Sequence, residues 1–124
     1  MAVTNTDPIT TSVARHDGVV VLAVGGEIDL ATAPVFEAAI SDVLADNPPA
    51  FVIDLSDVTF LASAGLQLLV ATQERIGQST EFAVVAEGPA TSRPIELTEL
   101  NQIFALYPTL DDALSAVRQK PRLA

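Results

Sequence analysis

The chain has 124 residues, 49% hydrophobic and 18% charged, with 16 acidic residues against 6 basic ones and no cysteine. That length fits one domain with enough aliphatic side chain to bury a core. A net charge of -10 repels nucleic-acid backbone and anionic lipid, and the lack of cysteine excludes disulfides, thiolate metal sites and Cys nucleophiles.

Residues 1–8 are polar and end in Asp7-Pro8, so they are expected to be a flexible lead-in. The segment from Ile9 to Gly26 reads as a hairpin, because Asp17-Gly18 is a two-residue turn signal between two apolar-rich runs. Ile9, Thr11, Val13 and Arg15 alternate with Thr10, Ser12 and Ala14. The continuous run 19–24 reads as a central strand closed by Gly25-Gly26. Thr32 is positioned to cap a helix that tolerates Pro34 in its first turn, and Val35, Phe36, Ala39, Ile40, Val43 and Leu44 recur at helical spacing. Asn47-Pro48-Pro49 stops that helix.

Residues 50–55 form an apolar run after a proline break, the pattern of a buried strand. Leu66, Leu69, Val70 and Ile76 mark a second amphipathic helix closed by Gly77, with Ser63 at its start. Residues 81–86 read as a strand, 92–100 as a short helix, and 104–108 as a brief strand. Thr109-Leu110-Asp111-Asp112 resembles a capping box and opens a last helix with Leu110, Ala113, Leu114 and Val117 on one face. Residues 119–124 are expected to be flexible. Strands alternating with helices after a hairpin predict an α/β domain over 9–118, with a mixed, mostly parallel sheet and about four helices.

No catalytic constellation emerges. The one histidine, His16, lies beside the hairpin turn, and there is no clustered metal-ligand set. Phosphate-binding glycine loops are missing, and Leu61 occupies the first glycine position of a Gly-x-Ser-x-Gly elbow around Ser63. An enzyme is not expected, nor a cofactor. Asp29, Asp54, Ser56 and Ser63 fall near strand ends and could converge on one sheet edge, although Asp54 and Ser56 are also the residue types that satisfy loop N–H groups. Ser63 has two compatible roles. Its hydroxyl could cap the helix, worth roughly 1 kcal/mol, or accept a phosphate, which the positive end of the helix dipole would favour.

In order and spacing, five segments resemble the single-domain STAS proteins that act as bacterial anti-sigma factor antagonists. They are Gly26-Glu27-Ile28-Asp29, Val52-Ile53-Asp54-Leu55-Ser56, Val58-Thr59-Phe60-Leu61 leading to Ser63-Ala64-Gly65-Leu66, Pro94-Ile95, and 109–114. The resemblance implies a STAS domain that, unphosphorylated, binds an anti-sigma factor and frees a sigma factor. That partner is typically a serine kinase with an ATP-binding fold, and a serine phosphatase reverses its action. Many members read Asp-Ser-Ser-Gly or Asp-Ser-Thr-Gly where this chain reads Ala62-Ser63-Ala64-Gly65. Ser63 is the one hydroxyl within 62–65, so either it is the phosphoacceptor or the protein escapes phosphorylation.

The resemblance also implies a partner surface of Glu27, Asp29, Thr32, Asp57, Ala62, Ser63, Ala64, Gly65 and Leu66. Leu68 lies off the helical stripe and could face the partner or the core. Two other roles remain open, a nucleotide- or anion-binding module and a STAS subunit of a membrane transport complex. No apolar run approaches the ~20 residues of a membrane helix, and the N-terminus lacks signal-peptide features, so a cytoplasmic location is expected.

Overall fold

The computed structural model describes residues 8–119; the expected flexible ends lie outside that range except for Pro8 and Gln119. The order is β1 (Ile9–His16), β2 (Val19–Ile28), α1 (Ala33–Leu44), β3 (Ala50–Leu61), α2 (Ser63–Ile76), β4 (Glu81–Val85), α3 (Ser92–Leu97), β5 (Ala105–Tyr107) and α4 (Leu110–Gln119), with a 3₁₀ turn at Leu100–Gln102. The five strands lie in sequence order, β1 antiparallel to β2 and the others parallel.

Two apolar layers sandwich this sheet. On one face Val20, Leu22, Val24, Phe51, Ile53, Leu55, Phe82 and Val84 pack against Phe36, Ile40 and Val43 of α1, Leu69 and Ile76 of α2, and Ile95 of α3. On the other, Val19, Val21, Val52, Ala83 and Val85 meet Ala113, Leu114 and Val117 of α4. The strands β2 to β4 are therefore buried on both faces, which is why they read as unbroken apolar runs. At the predicted capping box, Asp112 N–H donates to Thr109 Oγ1 at 3.1 Å. Gly77 ends α2 at φ +60°.

Two strands run further than the sequence pattern predicts. β2 continues through Gly25-Gly26 to Ile28, and β3 continues past Leu55 to Leu61. β4 pairs with β3 only from Ala50 to Asp54, whereas β2 stays paired to β3 up to Ile28–Leu61. Beyond the end of β4 the two long strands thus continue as a parallel ribbon, flanked by β1 as far as Gly26. The register shifts twice, between Ala23 and Gly25 and between Gly26 and Glu27, with an extra residue on β3 each time. Such bulges re-aim side chains and leave adjacent pairs, Ser56-Asp57 and Thr59-Phe60, both exposed.

The glycines read as strand breakers are required by close approach. A Cβ on Gly25 would sit 2.8 Å from Thr10 Oγ1 and 3.3 Å from Asp57 Cβ, and Gly26, at φ +89°, has its α-carbon face pressed on the Pro8 carbonyl.

Candidate functional site

The ribbon tip, the β2–α1 loop and the start of α2 meet at one end of the domain. Ile28 pairs with Leu61, and Ala62 N–H donates to the Ile28 carbonyl at 2.8 Å. The chain then turns into α2 over Gly65, which is buried; a Cβ there would lie 2.6 Å from both Ile28 Cγ2 and Leu61 Cδ1. Only a glycine lets the first turn of α2 sit this close to the ribbon.

Ser63 is not the cap of α2. The cap position is Ala62, extended at φ -89° and ψ 173°, and no side chain among the described residues caps the helix. Ser63 is the first helical residue, exposed, and its hydroxyl has no hydrogen-bond partner among the described residues. The N–H groups of Ser63 and Ala64 precede any possible intrahelical acceptor. No acidic side chain lies in the first turn, so the positive end of the helix dipole is not offset there.

Asp29 and Thr32 organise the loop beside it. Asp29 Oδ1 accepts from the N–H groups of Ala31 and Thr32, each at 3.0 Å, while Asp29 N–H donates to Thr32 Oγ1 at 2.9 Å. The Thr32 hydroxyl donates to the Glu27 carbonyl at 2.9 Å. Thr32 is thus a buried tie inside the loop, at 3% exposure, and makes no side-chain cap bond to α1. The tied loop holds Leu30 outward, 82% exposed, and the ribbon holds Phe60 outward, 51% exposed.

The expected site residues are therefore of two kinds. Glu27, Asp57 and Ser63 are exposed, and Asp29, Ala62, Ala64 and Leu66 are half-buried around them. Thr32 and Gly65 are buried and shape the surface from beneath. Leu68 packs against the core and lines the cleft between α1 and α2 with Ile40 and Arg75, so it lies on the α1 side of the helix. Asp54 Oδ1 accepts from both N–H and hydroxyl of Ser56 at the first bulge. That pair braces β3, and no hydrogen bond among the described residues links it to Asp29 or Ser63. Among the described residues, no group of three or more His, Cys, Asp or Glu side chains is placed to hold a metal ion. No helix among them is long and apolar enough to cross a membrane.

Leu30 and Phe60 were not singled out by sequence reasoning. Phe60 lies beyond the expected strand 50–55, and its outward aim follows from the second bulge of the longer β3. Leu30 has a sequence signal, an isolated large aliphatic residue between Asp29 and Ala31, but an exposed leucine alone is common.

A single α/β domain with a sequential mixed sheet, an antiparallel hairpin followed by parallel strands, is the STAS architecture. The STAS domain family model matches residues 10–113, and the chain belongs to that family. It is 59% identical over 112 residues to the anti-sigma-F factor antagonist RsfB of Mycobacterium tuberculosis, covering 90% of this chain and 92% of that protein. A crystal structure of an anti-sigma factor antagonist from Mycobacterium paratuberculosis is 61% identical and superposes with a TM-score of 0.89, over 94% of this chain and all of that one. A putative anti-sigma factor antagonist of Thermotoga maritima is 30% identical over 106 residues, covering 84% of this chain and 94% of that protein.

Proposed function

We propose that this chain is an anti-sigma factor antagonist that binds an anti-sigma factor of the serine-kinase type while Ser63 is unmodified. Binding would free a sigma factor, and phosphorylation of Ser63 would release the anti-sigma factor again, with a serine phosphatase resetting the switch. The observation that carries this reading is the exposed Ser63 hydroxyl at the first position of α2, without a hydrogen-bond partner among the described residues. Beside it stand two large apolar side chains held outward, Leu30 and Phe60.

The chemistry is consistent. The hydroxyl is accessible to a kinase and commits no bond that transfer of a phosphoryl group would break. The product dianion would lie against the free N–H groups of the α2 start, so it would not unfold the domain. It would add nearly two negative charges to a surface that partner binding must desolvate. The high identity to antagonists over almost the whole chain supports the partner class.

The test is incubation of the purified protein with its cognate anti-sigma factor and ATP, followed by phosphopeptide mapping, alongside pull-downs with Ser63→Ala and Ser63→Glu. Phosphate on Ser63, retention of binding by Ala and loss by Glu are expected. If Ser63 stays unmodified and both variants bind alike, the switch reading fails.

A further inference from the structure

A groove of about 330 Å³ runs along the outer side of α2, between it and the segment joining α3 to the 3₁₀ turn. Leu66, Val70, Ala71 and Leu100 form its apolar walls, with Ser63 at one end and Glu74 toward the other. Leu66 and Val70 are one helical turn apart, beside the fully inward stripe of Gly65, Leu69, Thr72 and Ile76. They pack only partly against the core and stay half-buried. α2 therefore carries a second apolar stripe that the described residues do not fully cover.

Two features say what fits there. Ser63 belongs both to this groove and to the switch surface, so a partner seated on the loop and ribbon can reach the groove without a break. The charge is one-sided: among the described residues the groove is lined by the carboxylate of Glu74 and by no cation. Arg75, the nearest base in sequence, is turned toward α1, with its Nη1 3.1 Å from Ser41 Oγ.

We propose, resting on the function proposed above, that this groove is a second docking site for the anti-sigma factor. It takes an amphipathic segment with aliphatic or aromatic anchors against Leu66, Val70 and Leu100, and a Lys or Arg beside Glu74. Anchors spaced to follow a helical stripe are the usual way such grooves are filled. A phosphate on Ser63 then acts at the groove mouth as well as on the loop surface, because the incoming apolar segment would have to desolvate a dianion.

The test is titration of the purified anti-sigma factor against the wild type, Ala71→Arg, Glu74→Lys and, as a loop-surface control, Leu30→Ala. Ala71 and Glu74 are exposed, so both groove variants should fold, which thermal melts would check. Each groove variant is expected to weaken binding about tenfold, the effect of losing one well-buried contact, with the melting temperature unchanged. If the wild type and both groove variants bind alike while Leu30→Ala weakens binding, the groove proposal is overturned and the switch surface stands. If the wild type binds no anti-sigma factor, the proposed function falls and the groove with it. A free protein that sediments as a dimer and becomes monomeric on Ala71→Arg, with partner affinity unchanged, also overturns the proposal, in favour of self-association.

Discussion

Asp29 and Thr32 hold each other reciprocally: the N–H of each donates to the side-chain oxygen of the other, at 2.9 and 3.0 Å. Such an arrangement orients a loop and does not require the carboxylate charge. Asp29→Asn, which can keep the accepting oxygen, is expected to leave stability and partner affinity near wild type. Asp29→Ala and Thr32→Val would each leave loop donors unpaired, costing about 1–3 kcal/mol and weakening partner binding by releasing Leu30. Urea unfolding and partner titration of the three variants check this. If Asn is as damaging to binding as Ala, then the charge of Asp29 contacts the partner directly.

The fold was largely legible because its helices announce themselves at 3.6-residue spacing and its central strands as apolar runs after turn residues. The ribbon was not. Gly25-Gly26 carries the signature of a strand end, yet both glycines sit inside β2, where Thr10, Asp57 and Pro8 approach too closely for any side chain. The bulges of β3 were hidden for a related reason. Asp54 is of the residue type that satisfies nearby N–H groups, and it accepts from Ser56 N–H, while Thr59 Oγ1 donates to the Gly26 carbonyl at 3.3 Å. These side-chain bonds lie beside the two register shifts, which residue type alone does not disclose. Ser63 is expected at the start of the helix and is its first residue, but its place one residue inside the cap depends on the Ile28–Ala62 bond, a contact 34 residues apart in sequence.

Since Ala62 occupies the cap position of α2 with no side-chain acceptor, a cap can be supplied. Ala62→Asp or Ala62→Ser should accept from a first-turn N–H and stabilise the domain by about 1 kcal/mol. For a chain of this size that is roughly 3–5 °C in Tm. Aspartate should exceed serine at low salt, because it also meets the helix dipole. Calorimetry of both variants is the measurement; no gain from either would mean that the first turn of α2 is already satisfied by solvent.

Gly65 is required for packing rather than for an unusual backbone angle. A methyl group there would lie 2.6 Å from side-chain carbons of Ile28 and Leu61, so α2 would have to move off the ribbon. Gly65→Ala is expected to destabilise by about 1–3 kcal/mol, as overpacking does, despite the better helix propensity of alanine. Chemical unfolding gives the sign directly. Stabilisation instead would show that Ile28 and Leu61 shift at little cost.

Leu30 and Phe60 expose 82% and 51% of their surface, so the fold gains little from them. Leu30→Ala and Phe60→Ala should leave the unfolding midpoint within about 0.5 kcal/mol of wild type, as surface substitutions do. Each should cost the complex about 1–2 kcal/mol, the range of a buried interface anchor. Comparing equilibrium unfolding with partner titration separates the two effects. Unchanged affinity in both variants would move the partner interface away from the ribbon and the β2–α1 loop.

Modification of Ser63 should act through charge. Ser63→Ala removes a hydroxyl that bonds nothing among the described residues, so its affinity for the partner should match the wild type. Glutamate adds one negative charge and phosphate nearly two, so affinity should fall in the order alanine, glutamate, phosphoserine. Exposed charges are screened as salt rises. If repulsion or lost electrostatic attraction is the cause, the gap between alanine and glutamate variants should narrow between about 50 and 200 mM salt. A gap that stays constant across that range would point instead to steric exclusion of the partner by the longer side chain. Titrations of the three forms at two ionic strengths decide between these mechanisms.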